Sequence, residues 1–264
     1  MKILFIINML IISTSALAIN VRFDEKTTVN FDCQAPQRAL SQGELPTALD
    51  LARDTACAQD LLQRAAPHGF VTVFGSARDT ANINFKIAED FAFNWTMSEL
   101  GPKFPIATGG GDGIMKAANK GAQEAGGRSL GLPTQFGFGG IEKSLNKFVT
   151  TGPDGKSDSF MFASFSQREA EMIDQSVAIV IAGGGVGTAW ELFESVSKVQ
   201  TGKKQPKTTP IILLGSRAEF QPQLDLLEQF AKVGTIAPQD LALVKIAETP
   251  NEAVALIQSA LNGQ

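Results

Sequence analysis

Two glycine clusters carry the most chemical promise in this chain of 264 residues. Gly109-Gly110-Gly111-Asp112-Gly113 and Gly183-Gly184-Gly185-Val186-Gly187 each follow a short apolar run and precede a helical pattern. Glycines at a strand end let backbone N–H groups approach an anion, and the following helix N-terminus adds partial positive charge. Two such loops facing one crevice suit a phosphorylated ligand. On its own, each cluster is explained equally well as a tight strand-to-helix turn. Neither completes the dinucleotide pattern G-x-G-x-x-G. Gly155-Lys156-Ser157 falls short of a P-loop because Thr150 stands where the first glycine belongs.

The rest of the inventory narrows the chemistry. There is one histidine, His68, two cysteines, Cys33 and Cys57, and no tyrosine beside 18 phenylalanines. Two-histidine zinc sites and four-cysteine clusters are therefore excluded within one chain. A Ser-His-Asp triad would have to use His68. Catalysis must come mainly from carboxylates, Arg, Lys, hydroxyls and backbone amides. A net charge of −4 argues against nucleic acid as a partner, and 44% hydrophobic residues argue for a folded core over disorder.

Alternating elements position the glycine loops. Residues 19–45 read as a polar lead-in, followed by a helix over 47–65. Strands are predicted at 70–74, 104–108, 129–132, 177–182, 210–214 and 242–247, with helices at 83–99, 113–125, 166–175, 188–200, 218–232 and 250–262. The segment 133–160 is irregular, with further strands expected at 144–150 and 159–164. Strand–helix alternation at this spacing predicts an α/β fold, a doubly wound parallel sheet with helices on both faces. The small residues Ala117, Ala118, Gly121 and Ala122 form one stripe of the helix at 113–125, as close packing requires.

The first 18 residues have the layout of a secretory signal: Lys2, an apolar run to Ile12, and an A-x-A pattern ending at Ala18. An apolar core of about ten residues is too short for a spanning helix, so no membrane association is expected after cleavage. The expected organisation is thus a signal peptide (1–18), a lead-in with helix (19–66) and one α/β domain (67–264). The expected location is periplasmic or secreted. In an oxidising compartment Cys33 and Cys57 are expected to pair, although two unpaired thiols fit the sequence too.

The string Val71-Thr72-Val73-Phe74-Gly75-Ser76-Ala77-Arg78, followed by Thr108-Gly109-Gly110-Gly111-Asp112-Gly113-Ile114-Met115-Lys116-Ala117-Ala118-Asn119-Lys120-Gly121-Ala122, resembles the LOG ("lonely guy") family, long mislabelled as lysine decarboxylases. Arg168-Glu169-Ala170-Glu171-Met172 is similar to its R-K-x-x-M segment, and Gly183 to Glu191 to its P-G-G-x-G-T-x-x-E signature. The resemblance runs in order over about 70–260. It implies a Rossmann-like fold and hydrolysis of the N-glycosidic bond of nucleoside 5′-monophosphates, AMP or cytokinin nucleotides, giving free base and ribose 5-phosphate. It also implies a homodimer or larger homo-oligomer with no metal or organic cofactor. By position, Arg168 and Glu191 would be catalytic. Gly184, Gly185, Gly187 and Thr188 would hold the phosphate, and Gly75, Ser76, Gly109, Gly110 and Gly111 would line the nucleotide site.

Plainer readings stand beside these. Thr188-Ala189-Trp190-Glu191 also fits a capping box. Arg168 could pair with Glu171 at i,i+3, and Asp112 could cap the next helix. Phe160, Phe162 and Phe165 read as core, and His68 as a turn residue. The chain departs from the family pattern at Gly183, where proline is usual, and at Glu169, where lysine is usual. Glu169 and the export signal motivate an alternative, a nucleotide-binding or sensing protein without turnover. Amino-acid decarboxylation, suggested only by the old family name, would need a pyridoxal-binding lysine, and neither glycine loop holds one.

Overall fold

Phe70 to Phe74 is buried along its whole length, as a strand covered on both faces must be. Val71 and Val73 enter a cluster with Phe91 and Trp95 on one face of the sheet, while Thr72 on the other face bonds Ser176 Oγ at 2.5 Å. This strand, β1, lies at the centre of a six-stranded sheet with β2 (Ile106–Thr108), β3 (Ser129–Gly131), β4 (Ser176–Ile181), β5 (Ile211–Leu214) and β6 (Val244–Ala247). All pairings are parallel, in the order β3-β2-β1-β4-β5-β6. Chain direction across the sheet reverses between β1 and β4, and ligands of such sheets bind in the crevice outside the strand ends there. The computed structural model describes residues 30–35, 37–41, 43–78, 83–135, 145–204 and 208–263. The expected signal segment lies outside the described residues.

Among the described residues of the unit Cys33–Gln264, seven α-helices flank the sheet: α1 (Ala48–Ala65), α2 (Ile83–Met97), α3 (Ile114–Glu124), α4 (Phe165–Gln175), α5 (Val186–Gln200), α6 (Arg217–Lys232) and α7 (Pro250–Asn262). Helix α2 packs between α3 and α7. The small-residue stripe of α3 serves this contact: a side chain at Gly121 would collide with the backbone carbonyl of Glu89 in α2. Among the described residues no helix is long and apolar enough to cross a membrane.

The strands expected at 144–150 and 159–164 are not formed. Residue 144 lies outside the described residues, and the rest of this segment makes only isolated bridges, such as Gly131 with Ser159 and Thr134 with Phe162. It is anchored instead by charge. Asp158, fully buried, accepts from Arg128 Nη2 at 2.9 Å and Thr150 Oγ1 at 2.6 Å, with Arg64 Nη1 at 3.6 Å.

Helix α1 is pinned from both sides. Cys57 forms a disulfide with Cys33, 24 positions away. One turn earlier, buried Asp54 accepts the backbone N–H groups of Ala163 and Ser164 at 3.0 Å, holding the start of α4. Cys57→Ser is expected to lower stability by about 3 kcal/mol, the loop-closure contribution of a bridge of this span. In a chain of this size that is about 6–12 °C in Tm, checked by melting the oxidised protein and the variant together.

Candidate functional site

The loops after β1 and β4 meet at the switch point. Ser76 N donates to Gly183 O at 3.1 Å, and Ala182 N to Phe74 O at 2.9 Å. Gly75 is required by packing, since a Cβ there would lie 2.5 Å from Ile114 Cγ2. Ser76 is equally engaged: its carbonyl accepts from Ile114 N at 2.9 Å and its hydroxyl from Arg78 N at 3.1 Å. These two residues shape the crevice floor and lock it onto α3.

The loop after β2 is organised by two asparagines that sequence reading did not single out. Asn146 donates from its backbone N to Gly110 O at 2.7 Å, and from Nδ2 to Gly111 O at 3.0 Å and Asn119 Oδ1 at 2.9 Å. Asn119, fully buried, also accepts from Thr108 Oγ1 at 2.7 Å and donates to Ser129 Oγ at 2.8 Å and Leu130 O at 3.0 Å. Its signal was a lone amide beside the small apolar stripe of α3. Gly110, at φ 74°, spends its own N–H on Thr108 Oγ1. The loop therefore contributes shape, and Gly109 leaves room for Arg168, whose Nη1 would be 2.6 Å from any Cβ there. Asp112 does not cap α3. The N-cap is Gly113 at φ 64°, and Asp112 pairs with Lys116 at 3.5 Å.

Glycine at 183 also has a physical reason. The hydrogen-bonded pair Asn84–Glu219 fills the space a Cβ would need. Beyond it, Gly184 to Gly187 are exposed, and Gly185 and Gly187 have open space where a Cβ would point. Gly184 has none, because Thr188 packs against it. Helix α5 begins at Val186 with Gly185 as N-cap and no side-chain cap. Thr188 is thus the third helical residue, so the T-x-x-E capping box is not formed. The first-turn amides of α5 are left for an anion.

Helices α4 and α5 then bring together three charged side chains. Ser164 caps α4 by accepting Gln167 N at 3.2 Å, which sets Arg168 and Glu169 in its first turns. Arg168, Glu169 and Glu191 are 6%, 0% and 9% exposed. Arg168 pairs with Glu169, not Glu171, and its guanidinium lies 4.8 Å over the Phe165 ring. Burial pushes the Glu191 carboxyl well above its ordinary value; contact with Glu169 adds to the rise and Arg168 opposes it. Burial raises Glu169 as well, against the pull of Arg168. Phe160 and Phe162 are core residues as expected, but Phe165 is 38% exposed and stacks on Trp190 at 5.2 Å. Its place at the first turn of α4 puts it at the surface over Arg168. His68 is an exposed turn residue. Among the described residues, no group of three or more His, Cys, Asp or Glu side chains is placed to hold a metal ion.

Fold and crevice together define a Rossmann-like α/β protein with an open, uncapped glycine loop at its switch point. Residues 115–257 match the family described as "possible lysine decarboxylase", and the chain belongs to this family, the LOG family. It is 26% identical over 170 residues to a probable cytokinin riboside 5′-monophosphate phosphoribohydrolase, LOGL2, of Oryza sativa subsp. japonica, covering 64% of this chain and 65% of that one. It is 27% identical over 147 residues to the cytokinin riboside 5′-monophosphate phosphoribohydrolase of Rhodococcoides fascians, covering 56% and 69%. The chain thus spans about two thirds of the length of these relatives. In fold it is similar to a molybdenum cofactor binding protein from Rippkaea orientalis, with a TM-score of 0.53, 20% identity, and 73% of this chain and 97% of that one covered. The molybdenum cofactor carrier protein of Chlamydomonas reinhardtii gives a TM-score of 0.51 at 22% identity, covering 74% and 99%.

Proposed function

We propose that the protein hydrolyses the N-glycosidic bond of nucleoside 5′-monophosphates of the AMP or cytokinin-nucleotide type, releasing free base and ribose 5-phosphate. One observation carries the reading: the uncapped N-terminus of α5 and the buried Glu191 lie on one helix, about 7.5 Å apart along its axis. A 5′-phosphate on the amides of Val186, Gly187 and Thr188 sets the ribose alongside Glu191. Breaking the C1′–N bond develops oxocarbenium character on the sugar, which a carboxyl group at that distance stabilises as its charge grows. Arg168, held between Gly109 and Phe165, fixes the other side of the nucleotide. The names of the curated relatives support the same chemistry.

Incubation with AMP, GMP, CMP and an N6-substituted AMP, followed by chromatography, is expected to show free adenine or its N6-substituted analogue. Absence of base release from every nucleotide, by protein that binds AMP, contradicts the reading. A second reading, nucleotide binding without turnover, is favoured by one feature: Glu169 neutralises Arg168. Equal binding and no turnover in both wild type and Glu191→Gln would select it. The same proposal takes the protein to be an exported homodimer or larger homo-oligomer, which light scattering on the processed chain measures.

A further inference from the structure

Among the described residues, Glu169 is a buried charged group at the site that the proposed reaction leaves without a task. It stands where the resembling family carries lysine, it is fully buried, and it comes from α4 to meet Glu191 of α5. Glu169 Oε2 and Glu191 Oε2 are shut off from solvent without a hydrogen-bond donor, while Glu169 Oε1 faces the Arg168 guanidinium. The two carboxyl groups are within hydrogen-bonding contact of each other, yet two carboxylates offer no donor between them. One proton resolves both facts. It supplies the missing donor, and with Arg168 it makes the buried trio neutral: one carboxyl, one carboxylate, one guanidinium. Without that proton a net negative charge would be buried, at considerable desolvation cost.

We propose that Glu169 and Glu191 act as one carboxyl pair that stores a single proton and delivers it, through Glu191, to the departing base. The inference rests on the hydrolase reading and adds the missing acid to it. Arg168 stays ionised at any working pH and is a poor proton donor. As the C1′–N bond breaks, its electron pair goes to the base, which takes the proton from Glu191. Water then bonds to C1′ and returns a proton to the carboxylate. Base and ribose 5-phosphate leave, and the pair regains its starting state. Glu191 is the catalytic acid; Glu169 is a positioning residue that keeps the proton on it. The other charged groups acting on the pair are Arg168 and Glu194, the latter held 3.6 Å from Lys198.

The test follows the carboxyl carbons by NMR in ligand-free protein labelled with 13C-glutamate, alongside a pH profile of base release from AMP. In the wild type one carboxyl of the pair is expected to titrate well above the ordinary glutamate range. In Glu169→Gln the Glu191 resonance returns toward that range. The high-pH loss of turnover moves down with it, by about 1 pH unit or more. If Glu169→Gln does not fold, Glu191→Gln reads the same coupling on Glu169. Independent titration of both groups in the ordinary range overturns the pair, even in an active enzyme. So does an unchanged Glu191 titration and pH profile in Glu169→Gln. A shared proton with no nucleotide cleaved at any pH overturns the hydrolase reading and the delivery step, and leaves only the proton sharing.

Discussion

Glu191→Gln is expected to lower the rate of base release from AMP by about 10²–10⁴-fold, the usual contribution of a positioned acid or base. Nucleotide affinity, which the proposed mode of binding assigns to the amides of α5, should change little. Glutamine preserves shape and part of the hydrogen bonding, but it can neither hold the proton nor develop the charge the oxocarbenium needs. Lost activity will not be mistaken for unfolding, because the stability effect has the opposite sign. In the folded state the Glu191 carboxyl keeps its proton well above the ordinary value near 4.5, where the unfolded chain has released it. That native proton makes wild-type stability fall as pH rises through this window. Removing the group removes the slope, so the variant's Tm relative to wild type should be higher at pH 8 than at pH 5. A variant that keeps full turnover would take Glu191 out of the chemistry.

Asn119→Leu is expected to cost about 3 kcal/mol, although leucine keeps asparagine's branched side chain of four heavy atoms. The loss is polar. Thr108 Oγ1 and Asn146 Nδ2 both donate to Asn119 Oδ1, and Ser129 Oγ and Leu130 O both accept from its Nδ2. An apolar side chain strands these groups where no water reaches. The damage also extends to the site, because Asn146 is what ties the carbonyls of Gly110 and Gly111. Urea denaturation should show an earlier midpoint at unchanged m, and nucleotide binding should weaken in the fraction that stays folded. A loss below about 1 kcal/mol would mean the network does not hold the loop.

The sheet was legible because its strands are short runs with apolar residues facing both ways, Val177 to Ala182 above all, and periodicity reports that directly. Residues 145–164 were not, because what holds them is Asp158 meeting Arg64 and Arg128, partners about 94 and 30 positions away with no periodic trace. The start of α5 was misplaced by two residues for a related reason. Thr188 looks like a cap until Gly185 takes that position with no side chain at all. Arg168 and Glu191 were visible through a family resemblance, whereas the meaning of Glu169 was not. A glutamate is ordinarily a surface residue, and only the packing of α4 against α5 shows this one sealed against another carboxyl group. Gly183 likewise reads as a lost proline until the Asn84 and Glu219 side chains are seen where a Cβ would stand.

Which bond of the nucleotide breaks is read by following AMP with the purified protein by 31P and 1H NMR. Adenine and ribose 5-phosphate are expected to appear one for one, with no inorganic phosphate released. Adenosine with inorganic phosphate, or AMP that binds and stays intact, would contradict the hydrolase reading.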